Sequence, residues 1–553
     1  MSRNANSRFA LNPTNIDISR SRFKRDDSVK TTFNVGQLIP FYCDEVLPGD
    51  TFDIETSKVV RLQTPIAPIM DNMYLDTYWF FCPNRLVWSH WKEFMGENTE
   101  SAWIPETEYT IPQVTAPDGG WNIGTLADYF GIPTGVSNLS VSDLPFRAYA
   151  LIANEWFRDE NLTDPLYIPV DDANVVGSNG DNYLTDTYKG GAPFIAAKYH
   201  DLFTSALPAP QKGPDVSIPL GTTAPVYAKT GVDYSGLSNT AMYFTGTGNP
   251  SGYGLHNMAV YNTSANPNIY ATRADGAVTT FSGNNIELRP SNLAADLSLA
   301  TASSINALRT AFQIQKLFEK DAIGGTRYIE IIKSHFGVTS PDARLQRPEY
   351  LGGNRIPINI HQVLSSAETT EAEIGATGAY SLTVDSHKDF THSFTEHGYI
   401  IGLCVVRYDH SYQQGLERHW TRKDRFDYYW PVLANLGNMA IRNDQIYATG
   451  TSTDEEVFGY SEAWAEYRYK PSYVTGEMRS VAQNSLDIWH LADEYSELPV
   501  LSDGWIREDK SNVDRALTVQ SSVSNQIFAD IYVKNYTTRP MPLYSIPGLI
   551  DHH

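Results

Sequence analysis

The sequence has no apolar run long enough to cross a bilayer. The longest, YIIGLCVV from Tyr399 to Val406, is the length of a buried strand and far short of the roughly 18 residues a spanning helix needs. No apolar segment of about 7–15 residues opens the chain, so a secretory signal is not expected and synthesis in a cytoplasm is. Cysteine is scarce. The three residues, Cys43, Cys82 and Cys404, include no C-x-x-C pair, which excludes a disulfide framework and a cysteine zinc site; reduced thiols buried in strands are expected. Positive charge is also scarce, with 42 Lys+Arg against 64 Asp+Glu and a formal charge of −22.

Catalytic signatures are missing as well. GTGNPSGYG has glycines at 246, 248, 252 and 254, one residue out of register for a dinucleotide-binding loop and not on a strand-to-helix turn. No G-x-x-x-x-G-K-[ST], H-E-x-x-H or G-x-S-x-G occurs. DDANVVGSNGDNY places Val176 and Tyr183 where a calcium loop needs oxygen ligands, and reads as a polar turn. His387, His392 and His397 recur every five residues, a spacing that neither helix nor strand gathers on one face. No carboxylate pair stands out by spacing. The expectation is a protein with no catalytic residue, no metal and no cofactor.

What is present is strand texture around an unusual middle. TTFNVGQLIPFYCDEVLPGDTFDI, NMYLDTYWFFCPN (72–84), HGYIIGLCVVRY (397–408) and QIFADIYVKNY (526–536) read as strands, the last with strict alternation. Strands this far apart in sequence share one core only in a β-sandwich with long excursions between them. SINALRTAFQIQKLFEKDAIGG and TRYIEIIKSHFG (304–337) carry apolar residues at helical spacing and end on glycine; they are expected to pack on the sheet. Between Gly213 and Ala300 there are only three Lys/Arg and five Asp/Glu among ten glycines and many Tyr, Asn, Ser and Thr. That stretch is too long for a connector and too aromatic for a disordered linker, so a folded, uncharged surface insertion is expected.

Basic residues concentrate in two places. Residues 1–30 hold seven Lys/Arg and three Asp, a net +4, with Arg20, Arg22, Lys24 and Arg25 close together. They read as a patternless arm. HWTRKDRFDYYW (419–430) interleaves Arg422, Lys423 and Arg425 with five aromatic rings, and EYRYKPSY (466–473) is similar. Cations neutralise phosphates and flat rings stack unpaired bases, so both regions are candidates for single-stranded nucleic acid. Snorkelling beside buried rings is the plainer alternative for the second, and pairing with acidic residues of a neighbouring subunit for the first.

KTTFNVGQLIPFYCDEVLPGDTF (30–52), EKDAIGGTRYIEIIKSHFGVTSPDARLQRPEYLGG (319–353), FTEHGYIIGLCVVR (394–407) and MPLYSIPGLIDH (541–552) resemble the major capsid proteins of microviruses, gokushovirus type, which are small icosahedral bacteriophages with single-stranded DNA. The similar blocks run in order over nearly the whole chain; Gly213–Ala300 is the part without a match. The resemblance implies an all-β fold, an eight-stranded jelly-roll sandwich with long interstrand loops, a few helices and one large surface insertion. It implies a basic arm (1–30), a core in two parts (31–212 and 296–553) and an outward protrusion (213–295) that meets the host, with Tyr243, Tyr253 and Tyr261 as candidate contacts. It further implies a homo-oligomeric T=1 shell of sixty copies enclosing DNA, a small basic packaging protein and other virion proteins as partners, a bacterial surface receptor, and residence in the virion after synthesis in the host cytoplasm. The alternative from another class is a secreted carbohydrate-binding β-sandwich, against which the basic arm and the missing signal argue.

Overall fold

The computed structural model describes residues 19–97, 108–214, 305–366 and 374–544, together with short strands between 226 and 295. The chain divides into two units, one made of 1–212 with 319–553 and the other of Gly213–Phe318.

Nine of the first unit's described strands form its two largest sheets. β1 (Ser21–Lys24) and β2 (Asp27–Phe33) are separated only by Arg25 and Asp26. β3 (Ile39–Val46), β4 (Thr51–Leu62) and β5 (Met73–Pro83) follow closely. β6 (Glu349–Pro357), β7 (Thr383–Ser393) and β8 (Gly398–Tyr408) come only after a long excursion, and β9 (Ile527–Arg539) after another. In one sheet β9 pairs with both β1 and β2 on one side and with β4 on the other, and β4 pairs with β7. The second sheet runs β6–β5–β8–β3. All of these pairings are antiparallel.

Period-2 patterning explains the sandwich. In β9, Ile527, Ala529, Ile531 and Val533 are buried while Phe528, Asp530 and Tyr532 are exposed. In β4, Phe52, Ile54, Val60 and Leu62 turn inward. The core they enter includes Phe33, Ile39, Leu75, Trp79, Ile400 and Cys404, so all four strand-like segments legible in the sequence contribute to one core. Trp79 meets Phe41 edge-on, with ring centroids 5.2 Å apart at 84°. Each fully buried side chain of this kind contributes roughly 1.5–3 kcal/mol.

β8 is buried on both faces. Ile400, Cys404 and Val406 enter the sandwich core, whereas Ile401, Leu403 and Val405 join a second core with Trp88, Trp121 and Phe146. This is why its sequence is a continuous apolar run without alternation. Helix α1 (Leu144–Ile152) lies in that second core and buries seven of its nine residues. Inside it Arg147 donates to Asp143 across 2.5 Å, with both side chains fully buried. Burial pushes the Asp143 carboxyl up to about 6, even with the Arg147 charge opposing.

Two expectations need correction. Cys82 and Cys404 are buried, but Cys43 is exposed on β3. The helices are α2 (Ile305–Gly324) and α3 (Tyr328–Phe336), and α3 has no buried residue. Polar anchoring replaces sheet packing: Arg327 pairs with Glu160 at 2.5 Å and donates to the carbonyls of Asn154 and Arg158 at 2.8 and 3.0 Å. Phe312, Tyr328 and Phe336 are left exposed.

In the second unit, Leu255–Thr263, Asn266–Arg273 and Val278–Thr280 form a three-stranded antiparallel sheet. Two short pairs accompany it, Phe244–Gly246 with Leu288–Pro290 and Val226–Ala228 with Leu293–Ala295. Among the described residues no helix is long and apolar enough to cross a membrane.

Candidate nucleic-acid interface

The described part of the basic arm is strand, not loop. Phe23, Val29, Thr31 and Phe33 point one way, Arg22, Lys24, Lys30 and Thr32 the other. The alternation is broken at Arg25-Asp26, which hides it in the sequence. Antiparallel pairing sets Lys24 opposite Tyr536 and Val29 opposite Ile531.

This geometry separates the four arm cations. The Arg22 side chain is 59% exposed; its guanidinium sits 4.5 Å from the centre of the Tyr536 ring and 3.3 Å from Asp53. Lys24 is 3.1 Å from Asp26, whose carboxylate also accepts the Tyr532 hydroxyl. Arg20 precedes β1 and lies beside Gly49. Arg25 turns inward instead and grips both oxygens of Asp44. Tyr42 donates to the same carboxylate at 3.0 Å and accepts from Asn535 at 2.7 Å. Burial first, then the Asp44 charge, pushes the Tyr42 phenol well above its ordinary range.

The second region, Arg418 to Leu433, is a string of short 3-10 turns. Arg422 is held within the chain, its side chain only 6% exposed. Its guanidinium lies 4.4 Å from the Tyr467 ring centre, donates to the Tyr467 hydroxyl at 2.5 Å and meets Glu466 at 3.2 Å. Lys423 is exposed and 3.3 Å from Glu455. Arg425 stacks on Phe426 at 4.6 Å. Trp420, Phe426, Tyr428 and Trp430 are all at least half exposed. Among the described residues no ion pair or hydrogen bond joins this region to the arm. Tyr261 lies on the strand Leu255–Thr263, opposite Asn268; Tyr243 and Tyr253 fall outside the described residues, as do arm residues 1–18.

The histidines are not brought together. His387 stands between Asp385 (2.6 Å) and Asp389 (3.0 Å) on β7, His392 is 3.8 Å from Glu349, and His397 lies against the Trp91 ring. No group of three or more metal-ligating side chains that would hold an ion occurs among the described residues. One buried polar cluster among the described residues is one the sequence did not single out. His410 bridges Asp493 (3.0 Å) and Glu508 (2.9 Å), and Lys198 lies 3.4 Å from Asp493. Burial alone would lower the imidazolium; Glu508 and Asp493 outweigh it and push His410 up to about 10. Burial likewise opposes the Asp493 charge, but His410 and Lys198 hold its carboxyl well below the usual range. The His410 side chain is 1% exposed, so this is a structural knot that ties distant segments together.

Two antiparallel sheets closed on one shared apolar core define a β-sandwich protein. The model of the phage capsid protein (F protein) family matches residues 13–549, and the chain belongs to that family. It is 43% identical over 541 residues to the capsid protein VP1 of Spiroplasma virus 4, covering 96% of each chain. It is 41% identical to the capsid protein VP1 of Bdellovibrio phage phiMH2K, covering 98% of this chain and 97% of the relative. With the capsid protein VP1 of Chlamydia phage 1 the identity is 40%, over the same shares. The microviral resemblance drawn from residues 30–52, 319–353, 394–407 and 541–552 is borne out, and the carbohydrate-binding alternative is set aside.

Proposed function

We propose that sixty copies of this chain close a T=1 icosahedral shell around single-stranded DNA. The family match from residue 13 to 549 carries the capsid part of this reading. Each copy contributes an eight-stranded jelly roll. The pairing order supports that assignment: β2 to β9, taken in chain order, fall into two four-stranded sets, β2–β9–β4–β7 and β3–β8–β5–β6, with long loops available for subunit contacts. The protein acts as building material of the virion, made in the bacterial cytoplasm, and not as an enzyme.

The insertion 213–295 is the outward protrusion and the host-attachment surface, with Tyr243, Tyr253 and Tyr261 among its contacts. Its paucity of charge and wealth of Tyr and small polar residues suit adaptable binding loops. Deleting 235–265 leaves shell assembly intact and abolishes adsorption to host cells; failure to assemble contradicts this assignment.

Arg20, Arg22 and Lys24 lie against the packaged DNA, as do Lys423 and Arg425; Arg25 and Arg422, also candidates from the sequence, are engaged instead by Asp44 and by Glu466 with Tyr467. The arm acts locally. Sixty arms of +4 supply about 240 charges, against about 1,660 phosphates in the coding strand for this chain alone. A small basic packaging protein and other cations neutralise the remainder. Replacing Arg20, Arg22 and Lys24 with Gln yields shells that assemble and package less DNA. Shells that fail to form while DNA binding persists contradict the arm's role.

A further inference from the structure

We propose that the outer face of the β1/β2–β9–β4–β7 sheet is the surface on which single-stranded DNA lies, with Arg61, Lys388 and Lys534 as phosphate contacts and Tyr532 and Tyr536 as stacking rings. This rests on the DNA-enclosing role proposed above and extends it from the arm to a whole sheet face.

The register carries the argument. Side chains on one face recur every second residue, about 6.8 Å along a strand. Reading across the sheet, Lys24 aligns with Tyr536 and Asp53. The next row is Lys534, Glu55 and Lys388. Then come Ser28, Tyr532, Ser57 and Ser386, and after them Lys30, Asp530 and Val59. The last row is Thr32, Phe528 and Arg61. Along β9 the rings Tyr536, Tyr532 and Phe528 therefore alternate with charged positions. Rings for bases interleaved with cations for phosphates are what a sequence-tolerant single-strand track requires.

Charge favours the same occupant. The outward positions hold six cations, Arg22, Lys24, Lys30, Arg61, Lys388 and Lys534, against Asp53, Glu55 and Asp530. Asp26 joins at the rim beside Lys24 and Tyr532, leaving a net of +2 on a chain of −22. The ion pairs on this face are open to water: side-chain exposure is 63% for Lys24, 73% for Lys30, 62% for Lys388 and 40% for Lys534. Exposed pairs of this kind are weak, so a phosphate displaces the carboxylate at little cost. At one end the face deepens into a hollow of about 670 Å³ whose wall carries Lys30, Arg61, Phe528 and Tyr129 together with the carboxylates Asp128 and Asp530, with room for a base. A face this rich in charge is a poor subunit contact, because interface cores are depleted of Lys, Asp and Glu. Arg25, turned to Asp44, takes no part.

The test measures binding of a fluorescent oligodeoxythymidylate to the full chain over a range of salt, with urea unfolding of every variant alongside. In the triple variant Arg61→Gln, Lys388→Gln, Lys534→Gln the slope of log affinity against log salt shrinks by about 2, and low-salt affinity falls at least tenfold. Tyr532→Leu weakens binding about tenfold and Tyr532→Phe leaves it unchanged, while Asp530→Asn strengthens it. The gain in Asp530→Asn decides the matter if the triple variant does not fold. A triple variant that binds like the parent, while Arg22→Gln with Lys24→Gln does not, overturns the sheet face and spares the arm's role. A parent chain that does not bind the oligonucleotide overturns both. Unchanged binding with failed shell formation assigns the face to a subunit contact and overturns the proposal.

Discussion

Arg25 and Asp44 form a two-pronged ion pair at the point where the first strand of the sandwich breaks, fastening the edge of one sheet to β3 of the other. A run of four basic residues thus serves two ends. Arg22 and Lys24 face solvent, and Arg25 is a brace. Arg25→Gln is expected to destabilise the chain by about 1–3 kcal/mol, because Asp44 and Tyr42 lose a charged partner in a half-buried setting. Arg22→Gln and Lys24→Gln stay within about 0.5 kcal/mol. Urea unfolding of the three variants checks the contrast; equal effects at all three positions contradict it.

At Gly353 β6 leaves no room for a side chain against β5. A Cβ there would stand 2.2 Å from the Thr77 carbonyl oxygen and 2.8 Å from the Tyr350 hydroxyl. Gly353→Ala is therefore expected to cost more than about 2 kcal/mol and to lower the yield of soluble protein. Gly375→Ala is the companion control: its Cβ meets nothing within 4 Å, although its φ is +86°, so only the smaller backbone penalty applies. A Gly353→Ala chain as stable as the parent contradicts the close approach.

The His410 knot gives stability a pH dependence with a defined sign. The folded pKa, about 10, lies above the ordinary value of 6.5. The stabilisation is fully present below about pH 6.5 and is lost as pH rises from there through 10. Asp493, held low, contributes above its ordinary value of 3.8 and loses that contribution as the solution becomes more acidic. Unfolding midpoints measured from pH 6 to 10 should fall in the parent and fall less steeply in His410→Gln, which is less stable at pH 6. Parallel pH profiles in the two chains contradict this account of the knot.

The fold was legible where burial is one-sided or complete. β9 alternates strictly and β8 is an unbroken apolar run, and both patterns state their surroundings. The edge strands β6 and β7 were silent. β6 carries Gly352 and Gly353, and β7 turns Asp385, His387 and Asp389 inward toward Lys58 and Thr56, which no hydrophobic pattern reveals. Helix α1 escaped because it is apolar nearly all round, leaving no period of 3.6 to detect. In the candidate interface, Arg22 and Lys24 were legible as charge, while their strand was masked by the break at Arg25-Asp26. Arg61, Lys388 and Lys534 are scattered over 473 residues of sequence, and only the strand register gathers them.

The central claim, that copies of this chain build a closed shell, is tested most directly by the mass of the purified particle. Analytical ultracentrifugation or charge-detection mass spectrometry of the expressed full chain should give a species near 3.7 MDa before any DNA is counted, about sixty times 61.8 kDa. A chain that remains at 61.8 kDa at high concentration, folded and with its loops uncleaved, contradicts the account.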